Sequence, residues 1–245
     1  MTNHIIRLCL NILFLIGLTF KSWADTPTSS FLNIYLKLSP QNPISTFGDQ
    51  FKSALSNEKE LKKYKLKPVF EEHPLHITLY LTQYPIKNNS LLIKRVKKLA
   101  QQAHSFTITT ERLIVTPSRY IMLTVKPQPY LQHLSDRVVL SVSPLRDYSA
   151  SIPAWAATNL KKTKSFKHYG SPNVFANYNP HFTLLTPYKV YPVEEERKLS
   201  QYLQHIVTKF NQNYSPINAS INAIAIGFAD EQGQIIKELA SFPLK

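Results

Sequence analysis

The sequence predicts an α+β fold in two lobes that repeat one order of elements. Three observations predict it. The order strand, helix, strand, strand occurs twice; each occurrence opens on a His-x-Thr tripeptide in an apolar strand; and no low-complexity linker divides the chain, whose 17 prolines are scattered as strand and loop punctuation. The two lobes are expected over roughly 30–126 and 127–245, with exchange of strands between them left open.

Residues 1–24 read as an export signal and not as part of the fold. Arg7 supplies a sparse positive start, 8–20 is almost wholly apolar, and Ser22-Trp23-Ala24 places small residues where a signal peptidase reads. The mature domain would then be 25–245, exported to the periplasm or secreted, with no stable membrane insertion after cleavage. An uncleaved anchor is the alternative, although the apolar run falls short of the roughly 20 residues that a bilayer span needs. The single cysteine, Cys9, lies in this segment. Its removal would exclude disulfides, thiol nucleophiles and thiolate metal sites.

The elements follow in order. Residues 31–38 form a strand closed by Ser39-Pro40, and Phe47, Phe51, Ala54 and Leu55 then recur at helical spacing. The basic run 59–67 reads as a solvated helix end and loop, or as a polyanion contact. In the first repeat, strand 76–81 leads through Asn88-Asn89-Ser90, good capping residues, to a helix with Leu92, Val96, Leu99, Ala100 and Ala103 on one face. Strands 105–115 and 120–126 follow. Residues 127–142 carry Leu131, Leu134, Val138 and Val139 at helical spacing and bridge the lobes; 161–169 reads as a basic loop with aromatics. In the second repeat, strand 181–186 leads through Pro192 to a helix opening on Glu194-Glu195-Glu196, which suits the positive end of a helix. Strands 217–228 and 235–242 follow, joined by a hairpin turn at Asp230-Glu231-Gln232-Gly233.

Side chains alternate along a strand, so His76 and Thr78 share one face while Ile77 and Leu79 take the other. His181 and Thr183 do the same against Phe182 and Leu184. If the pseudo-twofold brings these strands together, two imidazoles and two hydroxyls meet in one cleft. That set suits phosphodiester cleavage. A neutral imidazole takes a proton from the attacking oxygen, a protonated one delivers a proton to the departing oxygen, and hydroxyls donate to the non-bridging oxygens where charge builds. Which histidine is base and which acid is not legible. The set makes a poor metal site because strand carboxylates are missing, and no cofactor is implied. With 8 histidines in the chain a lone His-x-Thr is uninformative; the weight comes from two copies in matching strands, both followed by leucine.

The two motifs, and especially Phe175-Ala176-Asn177-Tyr178-Asn179-Pro180-His181-Phe182-Thr183-Leu184, resemble the two-histidine phosphoesterase superfamily, which contains bacterial 2′-5′ RNA ligase-like proteins and cyclic phosphodiesterases. The resemblance implies a bilobal α+β fold with two antiparallel-rich sheets lining a central cleft and helices outside. It implies His76 and His181 as acid and base, Thr78 and Thr183 as phosphate ligands, and nucleotide or RNA 2′,3′-cyclic or 2′-5′ phosphodiesters as substrates. Relatives mostly act in the cytoplasm, and the export signal departs from that.

The chain carries 29 Lys and Arg against 15 Asp and Glu, a formal charge of +14. Such a field attracts polyanions without choosing among them. Three hypotheses therefore stand: a metal-independent phosphodiesterase, expected as a monomer; an exported basic protein that binds RNA or another anion without turnover; and an envelope interaction protein whose repeats are structural. His73 could line the cleft or belong to a loop. Tyr80 is placed on the His76 face, and Tyr84, Tyr178 and Tyr188 flank the motifs; each could stack on a base or belong to the core.

Overall fold

The computed structural model describes residues 28–186 and 189–245. The expected leader 1–24, with Cys9, and Tyr188 lie outside the described residues. Among the described residues no helix is long and apolar enough to cross a membrane.

The first strand, β1 (Ser29–Leu38), sets the frame. Leu32, Ile34 and Leu36 bury one face completely, while Asn33, Tyr35 and Lys37 occupy the other. On one side β1 pairs with β2 (His76–Pro85). On the other it pairs with β6 (Asn218–Ala229), beyond which runs β7 (Ile235–Pro243). The start of β6 also takes β3 (Phe106–Val115), whose far half pairs with β4 (Ile121–Val125); β4 pairs in turn with β5 (His181–Leu185). Every pairing is antiparallel, and the path runs β2-β1-β6-β3-β4-β5. β3 carries an irregularity between Thr110 and Leu113, where it passes from one partner to the next. Such a bulge bends the strand. The curled path brings its two terminal strands, β2 and β5, back into contact, and Pro68 just ahead of β2 bridges to Leu185 of β5. Strands from before and after residue 126 are mixed throughout: β6 and β7 lie with β1 and β2, and β5 lies with β3 and β4.

Among the described residues six helices cover the outside. α1 (Pro43–Asn57) opens on a proline after Asn42, whose side chain accepts from the Ser45 amide at 3.2 Å, and packs Phe47, Phe51 and Leu55 inward. α2 (Asn89–Ala100) and α3 (Pro129–Val142) pack on each other, α2 against β6 and β7 and α3 against β2. After the short α4 (Ala154–Ala157) come α5 (Leu160–Tyr169) and α6 (Val193–Gln212), the last lying against β3 through Leu199, Leu203, Ile206 and Val207. One core cluster holds nearly all buried apolar residues. A second, made of Tyr35, Ala225 and Ile235, lies on the opposite face of β1 and β6.

Three local expectations change. Residues 161–169 form helix α5 and not a loop, because the Asn159 side chain caps it by accepting from the Lys162 amide at 3.1 Å and Gly170, at φ 75°, ends it. Asn88 does not cap α2; its amide donates to the Leu145 carbonyl at 2.8 Å. The run from Lys59 begins as a 3₁₀ helix, Lys59–Tyr64, that buries Leu61 and Tyr64, and Lys63 pairs with Glu195 at 2.5 Å.

Candidate functional site

His76 and His181 lie on the two strands that the curled path brings together, and the charge of His181 acts on His76. The local frame around each ring is the same. Nδ1 of His76 lies 2.9 Å from the Pro74 carbonyl, and Nδ1 of His181 lies 2.7 Å from the Asn179 carbonyl, in each case two residues upstream. A carbonyl only accepts, so Nδ1 of each ring carries the proton and donates it, and Nε2 of the neutral ring is the basic nitrogen.

A second shared feature follows each motif. Along β2, Thr78 faces Tyr35 and Tyr80 faces Ile34, which leaves Leu79 as an extra residue. Along β5, Thr183 faces Met122 and Leu185 faces Ile121, which leaves Leu184 extra. Both His-x-Thr-Leu segments therefore end in a β-bulge at the leucine. The bulge reverses the alternation beyond it. Tyr80 consequently lies with Ile34 in the core and not on the His76 face, which corrects the expectation from strict alternation. Tyr84 and Tyr178 are also held by the core.

His76 is 7% exposed. Burial pushes its pKa down to about 4, against the opposing pull of the Pro74 carbonyl, and the nearby His181 and His73 push the same way as burial. His181 is half-buried, and its pKa is also lowered by loss of water, offset by the Asn179 carbonyl. Burial thus favours the neutral ring of His76, with the Gly233 carbonyl opposing it as the Pro74 carbonyl does. The His73 ring reaches the Ile235 carbonyl at 3.0 Å, so it belongs to the wall of this site.

Asn33, on the polar face of β1, joins the parts, and no sequence motif marks it. Its side-chain nitrogen donates to Thr78 Oγ1 at 2.8 Å and to the Gly233 carbonyl at 3.1 Å, and lies 3.3 Å from His76 Nε2. The Gly233 carbonyl, which can only accept, fixes which way the amide points. Thr78 is left with its own hydroxyl proton to donate. The Asn33 carbonyl oxygen is buried with no partner. A subtler signal exists: Asn33 alternates with Tyr35 and Lys37 against Leu32, Ile34 and Leu36, a polar face on a strand too apolar to be solvated.

The β6–β7 turn closes over this face. Gly233, at φ 84°, packs beside Leu81, and Asp230 lies near enough to Tyr120 at the head of β4 to add to the effect of burial in raising that phenol. Tyr35 stacks edge-on against His76 with ring centroids 5.4 Å apart, and its hydroxyl and Lys37 Nζ both donate to Glu238, each at 2.9 Å. Thr183 stands two residues from His181 on β5, half-buried beside Met122. The four residues expected at the site therefore lie on the two strands that meet. Among the described residues no three His, Cys, Asp or Glu side chains converge as a metal-holding group. A separate cavity of about 720 Å³ between α1 and α6, lined by Phe47, Ile206, Phe210 and Tyr214, includes none of the four.

Residues 49–233 match the family model described as the 2′-5′ RNA ligase superfamily. Among solved structures the chain is similar to TT0787 of Thermus thermophilus, with a TM-score of 0.51 and 14% identity over 87% of this chain and 97% of that one. It is also similar to E. coli LigT in its apo form, with a TM-score of 0.51 and 13% identity over 89% and 99%. The 3′-AMP complex of the same E. coli protein gives a TM-score of 0.52 and 14% identity over the same shares. Likeness at this identity shows the fold. No curated protein sequence matches.

Proposed function

The chain belongs to the 2′-5′ RNA ligase superfamily, and from that premise we propose that it is a metal-independent phosphodiesterase acting on 2′,3′-cyclic or 2′-5′ phosphodiesters of nucleotides or RNA. The observation that carries the reading is the matched pair of imidazoles, each with Nδ1 pinned to a carbonyl two residues upstream, on two strands that meet. The E. coli relative was crystallised with 3′-AMP, a nucleotide whose phosphate sits where opening of a 2′,3′-cyclic ester can leave one.

In this reading His76, the more deeply buried of the two histidines, is the base. His76 Nε2 takes the proton of the attacking water or hydroxyl, and protonated His181 delivers a proton to the departing oxygen. Thr78, held by Asn33, and Thr183 donate to the non-bridging oxygens. With the leader removed the enzyme would act outside the cytoplasm, where a reaction that needs no ATP is workable.

The test is turnover of 2′,3′-cyclic nucleotides and 2′-5′-linked dinucleotides in the presence of chelator. His76→Ala and His181→Ala are each expected to lower the rate by roughly 10²–10⁴. Because both histidines are depressed in the folded protein, the bell of kcat/KM should centre on the acid side of their ordinary pKa of about 6.5. Loss of activity in chelator, or indifference to both substitutions, would sink the mechanism. RNA binding without turnover of any of these esters would favour the binding protein instead.

A further inference from the structure

From Tyr148 to Val193 the chain contains no Asp or Glu, while Lys161, Lys162, Lys164, Lys167 and Lys189 all fall within that stretch. The part of it around α4 and α5 is built in an unusual way. α5 buries none of its residues and opens on Leu160 at 70% exposure, and near it in sequence two more large side chains stand in solvent, Tyr148 at 70% and Trp155 at 52%. Both aromatic rings carry cations. The Arg146 guanidinium lies 3.9 Å from the Tyr148 ring centroid, and Lys162 Nζ lies 4.5 Å from that of Trp155. Asp147, the carboxylate just ahead of this stretch, accepts from Ser29 and Ser149. None of the α5 lysines forms an ion pair among the described residues.

α5 is anchored beside both histidine strands, on the core face of β2. The Tyr169 and Gly170 carbonyls at its end accept from Tyr80 and Thr82 of β2, the latter at 2.7 Å. On its other side, Asn177, four residues ahead of His181, donates to Ser165 at 2.9 Å. The helix is tied to β2 and to the segment that leads into β5.

We propose that the surface made by Tyr148, Trp155 and the lysines of α5 binds a single-stranded polynucleotide, holding the nucleotides that flank the phosphodiester in the histidine cleft. The chemistry is specific to that class. Exposed flat rings accept unpaired bases by stacking, and cations beside them follow the phosphates; Asp147, turned to Ser29 and Ser149, is the one carboxylate next to the rings in sequence. A mononucleotide would use the cleft alone. This inference rests on the phosphodiesterase reading for what enters the cleft, but the surface can be tested without turnover.

Trp155 and Trp23 are the two tryptophans of the chain, so indole fluorescence reports on the surface once the leader is removed. The probe is an oligothymidylate of about twelve nucleotides, within the span single-strand sites cover, which lacks the 2′-hydroxyl and so cannot be turned over. Binding should quench Trp155, and Trp155→Ala and Tyr148→Ala, followed by the anisotropy of a fluorescently end-labelled copy of the oligonucleotide, should each weaken binding by about tenfold, as removal of a stacking ring does. Changing Lys161, Lys164 and Lys167 together to Gln should flatten the slope of log affinity against log salt by roughly 2, since each phosphate no longer neutralised takes away about 0.7. Turnover of a 2′,3′-cyclic mononucleotide by these variants should stay at the parent level. Oligonucleotide binding that the variants leave unchanged would overturn the proposal. So would equal, variant-sensitive binding to vesicles of anionic phospholipid, which would make this a membrane face. If no ester is turned over but the oligonucleotide still binds through Trp155, the surface stands and the catalytic reading falls.

Discussion

Burial of His76 can be read in stability as well as in rate. An unfolded histidine titrates near 6.5, whereas the folded one is held down to about 4. Between these values the unfolded chain binds a proton that the folded chain does not, so stability rises with pH through this window and is lost as pH falls through it. The whole interval amounts to at most roughly 3.5 kcal/mol for this one group, at about 1.36 kcal/mol per pH unit. His181, also depressed, acts with the same sign. Urea unfolding of the parent and of His76→Asn at pH 7 and at pH 4.5 should show the variant losing less stability on acidification; equal losses would remove His76 as the cause. Asn33 offers a second reading of the same group. Asn33→Ala frees Thr78 and the His76 edge, and the resulting misplacement should lower kcat on the order of 10²-fold. Asn33→Asp would place a carboxylate 3.3 Å from Nε2, favour the imidazolium, and move the acid limb of kcat/KM to higher pH. An unmoved acid limb would mean that His76 is not the base it reports.

At the scale of the element, the seven described strands and α1, α2, α3 and α6 are legible from their apolar patterns, and the helices and most of the strands bury the face that the pattern marks. The departures occur where the rule depends on tertiary pairing. A β-bulge is a property of two strands in register, and nothing in Leu79 or Leu184 alone marks one, so strict alternation puts Tyr80 on the wrong face. Helix α5 escapes because it has no buried face to generate a period, and its lysines read equally well as loop. The turn at Gly233 is legible as a turn but not as a wall of the site, since its reach to Asn33 crosses 200 residues of sequence. Gly233→Ala tests that reach. A left-handed residue with a Cβ costs roughly 1–2 kcal/mol, and here the new Cβ would meet Leu81 Cδ2 at 3.1 Å. The expected result is a melting point lowered by a few degrees, with a loss of kcat larger than that of a comparably destabilising change in α1, because the Gly233 carbonyl would leave Asn33 and His76. An equal loss in both would reduce the turn to a purely structural role.

For the whole molecule, the His-x-Thr repeats tell which strands matter but not how they meet. The paired motifs imply a convergence, and the curled path supplies one: β2 and β5 are the farthest strands along the ladder, and they touch only because β3 bends between β6 and β4. The proposed site thus draws one imidazole from one end of the path, a second from the other, Asn33 from the middle and a wall from the β6–β7 turn. No contiguous part of the chain contains it. It follows that the site cannot survive while either end of the path is open, and that a local opening of the β4–β5 end should abolish activity as completely as global unfolding. Activity, tryptophan fluorescence and far-ultraviolet dichroism followed through urea should therefore separate in one order only. If the end opens first, activity falls before dichroism; if the path is one cooperative unit, all three coincide. Activity that outlasts the dichroic signal would mean that the imidazoles can be brought together without the curl, and the two-ended assembly of the site would be wrong.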